Sequence, residues 1–295
     1  MNNYVLATCS TADVSAQHLE QRNIEYIKFV FLTDGKENFD DLGQTVPYDK
    51  FYQMMRDGVE TKTSQPNVDD FTAFFEPFLE NGRDVIFLNL SSGLSGAMTS
   101  AKLAAGELRE KYPDRKLYLV DSLGASSGMG LLVDKMADLR DGGMSIDELY
   151  EWTEANKRTL HHWFFTTDLT FFVKGGRVSK LSGWFGTVLK ICPLLNVDSN
   201  GKLTPRKKVR GKASVIKEIV ARMEENAHNG YGYSEKCYIS HADCYEDARA
   251  VADIIEEKFP KLNGKVLINN IGTTIGSHTG PGTVALFFFG TERND

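Results

Sequence analysis

Three stretches of the chain combine hydroxyl side chains with glycine or proline: "TKTSQPN" at 61–67, "SSGLSG" at 91–96 and "SLGASSG" at 122–128. The last two follow apolar runs and precede helix-like patterns, so we expect them at the carboxyl ends of strands in an open α/β sheet, where ligands bind. Free N–H groups at a helix N-terminus, joined by Ser or Thr hydroxyls, suit a carboxylate or a phosphate. Any one loop alone is more typical of a helix cap, but several in one sheet favour an anion site.

The third stretch also contains a motif of hydrolases. "GASSG" at 124–128 matches G-x-S-x-G and predicts Ser126 as a nucleophile between a strand and a helix. An acid and a histidine follow in the required order, namely Asp168 or Asp243 and then His278. Small residues meet this short pattern easily by chance, so a serine hydrolase of acyl esters stays the alternative function.

Two further residues are suited to holding an anion. His278 lies in the unusual stretch "GTTIGSHTGPGT", which we interpret as a loop before the last strand, and Arg177 follows two glycines in "VKGGRVSK". A guanidinium is well suited to a carboxylate or a phosphate. Each residue alone is more typical of a polar or surface position than of a site. The run "HADC" at 241–244 is interpreted as the end of a strand, because two ligands on one short loop do not make a metal site.

The elements that must position these residues differ between the two halves. The first half alternates strands and helices and predicts an α/β domain with a parallel sheet, which we place at residues 1–160. The second half contains a hairpin turning at Asn200–Gly201 and predicts a smaller α+β domain at residues 161–295. Strands are expected at 4–8, 25–33, 84–90, 116–122, 161–167 and in the final "TVALFFFG", and helices near 16–21, after Asn67, and at 95–111, 213–226 and 245–258.

The composition excludes several classes of protein. The chain has 295 residues, 41% hydrophobic and 25% charged, with a net charge of −6, so non-specific nucleic-acid binding is not expected. The four cysteines show no disulfide or zinc pattern, which favours a reducing cytoplasm, and we expect neither a metal nor a cofactor. A signal peptide or a transmembrane segment is not expected from the apolar runs.

The chain resembles the DegV family of bacterial fatty-acid-binding proteins. Four motifs carry the resemblance: "KTSQP" (62–66), "SSGLSG" (91–96), "KGGRVSK" (174–180) and "SHTGPG" (277–282). The resemblance extends over essentially the whole chain. It implies a Rossmann-like N-terminal α/β domain and a smaller C-terminal domain, with one long-chain fatty acid between them. It also implies that the protein has no catalytic activity on its own. Some family members carry the fatty acid for a separate bacterial fatty acid kinase subunit, which converts the carboxylate to an acyl phosphate.

The resemblance also implies roles for individual residues. Thr63 and Ser95 would hold the carboxylate, His278 would complete the network, and Arg177 would lie close by as support. Arg210, at the end of the basic run "PRKKVR", falls at the position that contacts the kinase. For Lys207 and Lys208 in the same run, a solvated strand edge is the preferred interpretation.

Two expectations concern residues outside these motifs. The family usually has Asp after the first strand, where this chain has Cys9, and the sequence does not decide between a buried residue and an exposed thiol. An apolar tail needs a tunnel, and we expect the phenylalanines of 71–78, together with Phe171 and Phe172, to line part of it. Such a tail contributes roughly 0.8 kcal/mol per buried CH₂.

Overall fold

The computed structural model describes residues 4–178 and 191–294. Its strands, numbered in chain order, are β1 Tyr4–Cys9, β2 Ile24–Ile27, β3 Val30–Thr33, β4 Lys36–Phe39, β5 Thr61–Ser64, β6 Asp84–Asn89, β7 Leu117–Asp121, β8 Leu160–Thr166, β9 Ile191–Val197, β10 Leu203–Arg210, β11 Tyr238–His241, β12 Leu267–Asn270 and β13 Thr283–Phe289. Its α-helices are α1 Ala16–Gln21, α2 Tyr48–Arg56, α3 Val68–Glu80, α4 Ala97–Lys111, α5 Ser126–Asp141, α6 Ile146–Asn156, α7 Thr170–Gly175, α8 Lys212–Asn226, α9 Tyr245–Lys258 and α10 Thr273–Thr279.

The N-terminal half contains the predicted parallel sheet. Its strand order is β2-β1-β6-β7, and every neighbouring pair is parallel. Local signals set its helix starts: the side chains of Asn67 and Asp70 cap α3 reciprocally, and those of Ser145 and Glu148 do the same for α6. The mixed α/β class and the Rossmann-like sheet expected from the sequence are thus confirmed.

A small second sheet was not expected. The run 25–33, predicted as one strand, is two strands, because β2 joins the parallel sheet while β3 lies in a separate antiparallel sheet of order β4-β3-β5. The prediction of a single strand there was wrong. The consequence for the site is that Thr63 lies on a strand, β5, where the sequence indicated a loop.

The C-terminal half forms a six-stranded mixed sheet of order β10-β9-β8-β13-β11-β12. The predicted hairpin is its β9–β10 edge, and Gly201 in the turn has the positive φ of 71° that glycine tolerates. All strands of this sheet lie between residues 160 and 289. The domain division at residues 160 and 161 stays a prediction, although β8 opens the new sheet at Leu160.

Helix α5 joins the two halves. It packs against β1 of the parallel sheet and against β8, β11 and β13 of the six-stranded C-terminal sheet. It is buried along almost its whole length, as expected of a helix that has protein on both sides. The loop before α5, the "SSGLSG" loop and helix α10 all contribute residues to one region between these two sheets.

Candidate ligand-binding site

A cavity of about 290 Å³ lies between the parallel N-terminal sheet and the six-stranded C-terminal sheet. The four residues that the resemblance assigned to a carboxylate, namely Thr63, Ser95, Arg177 and His278, all line it. Arg177 is exposed and the other three are partly buried, so this polar group lies where the cavity approaches solvent. The remaining lining is mainly apolar.

Thr63 and His278 are in direct contact. His278 Nε2 lies 2.8 Å from Thr63 Oγ1, and Arg177 Nη1 lies 3.4 Å from His278 Nδ1. A guanidinium only donates, so Nδ1 accepts, and the proton of the neutral imidazole is on Nε2. His278 then donates to Thr63 Oγ1, which leaves the threonine hydroxyl proton available for a ligand oxygen.

The protonation of His278 agrees with this arrangement. Burial, and secondarily the charge of Arg177, lower the pKa of His278 to about 4. At neutral pH the imidazole is therefore uncharged. Helix α10, on which His278 lies, replaces the loop that the sequence indicated.

Ser95 lies just before α4 and contacts a residue that the sequence analysis did not single out. Its hydroxyl donates to Gln65 Oε1 at 3.0 Å and accepts from the N–H of Ala97 at 3.2 Å. Gln65 also lines the cavity. Its position two residues after Thr63, in the same "KTSQP" motif, was the available signal.

The first serine of the loop, Ser91, has a different role. Its hydroxyl donates to the carbonyl of Gly201 at 2.8 Å and so ties the loop to the tip of the β9–β10 hairpin. Gly93 is needed for this contact, because a Cβ there would lie 2.7 Å from Gly201 O. Ser91 thus fixes the loop to the hairpin, and Ser95 of the same loop lines the cavity.

The predicted apolar lining is only partly correct. Phe172 lines the cavity and stacks on Phe164, with ring centroids 5.7 Å apart. The phenylalanines of α3 do not line it; Phe71 and Phe75 pack against Phe87 of β6 in the core of the first sheet. Their assignment to a tunnel was wrong, because the apolar face of α3 covers its own sheet.

Phe171 also lies outside the cavity lining and packs in a small cluster with residues of α2. His162, by contrast, lines the cavity although no sequence signal indicated it. Its role is considered separately below.

The structure does not form the triad of the hydrolase alternative. Ser126 Oγ lies 2.5 Å from Asp13 Oδ2 and 2.9 Å from Ser240 Oγ, whereas His278 contacts Thr63 and Arg177. The two candidate acids are engaged elsewhere: Asp168 accepts from the N–H of Thr170, and Asp243 pairs with Arg56.

Ser126 does have the strained backbone of such a motif, with a positive φ of 55°. Its side chain is 5% exposed and its hydroxyl is held by a buried carboxylate. Desolvation raises the pKa of Asp13 well above its usual value. Ser126 therefore anchors the start of α5 to Asp13 in this structure.

The question left open at Cys9 is answered. The Cys9 side chain is fully buried, and its thiol donates to Asn89 Oδ1 at 3.4 Å. Burial raises the pKa of Cys9 to about 11, so the thiol stays protonated and unreactive.

The basic run lies on the edge strand β10. Lys207 forms an ion pair with Glu218 at 2.9 Å, and Arg206 donates to Asn196. Arg210 is exposed at the end of the strand.

Within residues 4–178 and 191–294, no helix has the length and apolarity to cross a membrane, and no cluster of three His, Cys, Asp or Glu is arranged for a metal. Ser179 and Lys180 of the "KGGRVSK" motif lie outside the described residues.

The family model described as "Uncharacterised protein, DegV family" matches residues 5–291. The chain belongs to the DegV family. It is 37% identical over 293 residues to a DegV domain-containing protein of Clostridium perfringens, which covers 99% of both chains. It is 32% identical to a protein of Thermotoga maritima named "Fatty acid-binding protein", over 96% of this chain and 95% of that one.

Solved structures of DegV proteins share the fold. A fatty-acid-binding DegV protein of Thermus thermophilus superimposes with a TM-score of 0.87 at 25% identity, covering 98% of this chain and 100% of that one. The Fatty Acid Kinase (Fak) B3 protein of Streptococcus pneumoniae, solved with linoleic acid, has a TM-score of 0.82 at 22% identity, covering 99% and 100%. The resemblance noted from the motifs is thus confirmed as membership of the DegV family.

Proposed function

We propose that this protein binds one long-chain fatty acid, with the carboxylate held by Thr63, Ser95 and His278 and the tail in the apolar cavity. The observation that carries the proposal is the contact between Thr63 and His278, which joins residues 215 positions apart at the polar end of the cavity. Relatives named as fatty-acid-binding proteins give independent support.

The head group meets suitable donors. The Thr63 hydroxyl has a proton free once His278 donates to it, and the Ser95 hydroxyl can turn from Gln65 to a ligand oxygen. Arg177 contacts His278 at the exposed side of the site and so adds a positive charge near the carboxylate. A hydrogen bond to a charged group contributes about 1.5–3 kcal/mol, so the head group orients the ligand.

The tail supplies most of the affinity. Leu90, Leu94, Phe164, Phe172 and Ala285 give the cavity an apolar lining that requires no hydrogen bonds from a ligand. Each buried methylene contributes about 0.8 kcal/mol, so a long alkyl chain outweighs the head group. A short carboxylic acid is expected to bind weakly at the same polar end.

We further propose that the protein has no catalytic activity of its own and presents the acid to a separate kinase. In that step, a carboxylate oxygen attacks the γ-phosphorus of ATP and ADP leaves, which gives an acyl phosphate. The polar end of the cavity reaches the exposed Arg177, which suits access by a second protein, and the exposed Arg210 is the proposed contact. The fold shared with the pneumococcal kinase protein supports this proposal. Because the proposed step needs ATP, we propose that the protein acts in the cytoplasm, where the four free cysteines would also stay reduced.

Mass spectrometry of the purified protein tests the binding proposal. Native spectra are expected to show one added mass per chain, and denaturing extraction is expected to release a fatty acid in near-equal amount. Protein stripped of lipid and then mixed with palmitate should regain the added mass. A stripped protein that takes up neither palmitate nor oleate would overturn the proposal.

A further inference from the structure

The floor of the cavity is one face of the C-terminal sheet, and its strand register locates the two ends. On β13 the lining residues are Thr283, Ala285 and Phe287, which alternate along the strand as residues of one face do. Thr283 follows α10 closely and so marks the end near His278. Phe287, four residues further on, lies about 13 Å away along the strand.

The far end is one transverse row across four neighbouring strands. Phe287 pairs with His162 on β8, and the pairing of Trp163 with Asn196, carried one step further, places Val197 of β9 opposite His162. Leu203 of β10 pairs with Val197. All four members of the row line the cavity: Phe287, His162, Val197 and Leu203.

The cavity ends at this row. The next pair on the same face is Leu160 with Phe289, and within the described part of the chain neither of these residues lines the cavity. His162 is the polar member of the terminal row, and its imidazole is 2% exposed. Phe287 meets it edge-on, with ring centroids 5.3 Å apart.

The imidazole is held in one position from two sides. Its Nδ1 donates to the carbonyl of Leu160 at 3.2 Å, which fixes the ring orientation. On the opposite side, a Cβ at Gly124 or Gly128 would lie 2.4 or 2.3 Å from Nε2, so the ring occupies a notch that only glycine leaves open. Burial lowers the pKa of His162 well below its usual value, so the ring is neutral.

We propose that His162 is the residue that limits the length of acyl chain the cavity accepts, as a fixed wall opposite the methyl end of the ligand. The inference rests on the proposed fatty-acid function and assigns the selection of chain length to one side chain. A neutral ring that is hydrogen-bonded to the backbone on one side and seated against glycines on the other cannot retreat from a longer chain. The bound acid then has its carboxylate at His278 and its methyl end at His162.

Binding of lauric, palmitic, stearic and arachidic acids to stripped protein tests this inference. The variants are His162→Ala and His162→Val, which shorten the wall, and His162→Leu, which keeps nearly the same volume. Removing the ring gives room for roughly two methylenes, so the Ala and Val variants should gain about ten-fold for the longest acids relative to palmitate. His162→Leu should keep the wild-type ranking.

Ile275→Ala is the matched control, because Ile275 lines the cavity from α10, three residues before His278 and so at the opposite end from the terminal row. It should weaken all four acids by a similar factor and leave their ranking unchanged. If the Ala variant does not fold, the smaller change to Val still gives the comparison. An identical ranking in wild type and His162→Val would overturn this inference alone. If wild-type protein binds none of the acids, the proposed function fails and this inference fails with it.

Discussion

His278 Nε2 donates to Thr63 Oγ1 across 2.8 Å, so a helix of the C-terminal half and a strand of the N-terminal half meet in one hydrogen bond. Because Thr63 Oγ1 accepts in this contact, its single hydroxyl proton is left available to a ligand. The neighbouring contact, in which Arg177 Nη1 donates to His278 Nδ1, requires that His278 stays neutral. Both properties can be measured separately.

Replacing Thr63 with valine should weaken fatty-acid binding by ten-fold or more, because valine keeps the shape and removes the donor to the carboxylate. Titration of stripped protein with palmitate measures the change. Thr72→Val is the control, since the Thr72 hydroxyl donates to Val68 O within α3, away from the cavity. Equal affinity of the two variants would place the carboxylate elsewhere.

The neutral state of His278 predicts a dependence of stability on pH. In the unfolded chain a histidine takes up its proton as the pH falls below about 6.5, whereas folded His278 resists until a pKa of about 4. The unfolded state thus binds more protons between these values, and the free energy of unfolding falls as the pH falls.

His278→Gln, which cannot titrate, removes this term. Between pH 7 and pH 5, the wild type should lose about 2 kcal/mol more unfolding free energy than the variant. Urea denaturation of lipid-free protein at the two pH values gives the difference. Parallel losses in both proteins would show that His278 titrates normally.

Ser95→Ala should weaken palmitate binding by about ten-fold without unfolding the protein, because it removes one donor to a charged group. Ser92→Ala provides a matched control in the same loop, since Ser92 is exposed and does not line the cavity. Calorimetric titration of both variants measures the effect. Unchanged affinity in Ser95→Ala would contradict the proposed carboxylate site.

For Ser126 we expect a role in the stability of the fold and no role in ester hydrolysis. Ser126→Ala removes a hydrogen bond to the buried Asp13 and should lower the free energy of unfolding by about 1–3 kcal/mol. A fluorophosphonate probe should fail to label the wild-type protein, because the Ser126 hydroxyl is hydrogen-bonded to Asp13 and Ser240 and not to a histidine base. Labelling at Ser126, with ester hydrolysis that Ser126→Ala abolishes, would instead establish a hydrolase.

Arg210→Ala should leave palmitate binding intact and lower acyl phosphate formation in a mixture with ATP and the cognate kinase. The expected cause is slower docking, so the difference should shrink as salt screens the wild-type charge. Lys207→Ala is the control, because Lys207 is already paired with Glu218. Wild-type rates for Arg210→Ala across the salt series would exclude Arg210 as the docking residue.

Elements with strong local signals were predictable from the sequence. Asn67 correctly predicted the start of α3, and Asn200–Gly201 correctly predicted the hairpin. Strands β4 and β5 are short and largely exposed, and they lack the apolar alternation that identifies a strand.

Helix α10 was missed for a different reason. Its residues, rich in Gly, Ser and Thr, have low helix propensity. Tertiary contacts fix its start instead: Asp40 accepts from the N–H of Thr274, and Tyr52 donates to the carbonyl of Ile271. No local pattern contains this information.

The site was predictable only in part. Physical reasoning indicated an anion site near several loops, but the pairing of Thr63 with His278 came from the resemblance, because spacing along the chain does not report contacts between distant segments. The phenylalanines of α3 show the converse limit. The spacing of Phe71 and Phe75 predicts a buried face equally well for a sheet core and for a tunnel, and the sheet core is what they form.

The contact of Ser91 with Gly201 has a consequence for how the protein unfolds. Loops of one half and a hairpin of the other enclose a single cavity, so any ligand in it touches both halves at once. A bound acid is then a reversible cross-link, and it is lost when either half opens. Saturating ligand should therefore raise the melting temperatures of both halves together and make their unfolding a single cooperative transition.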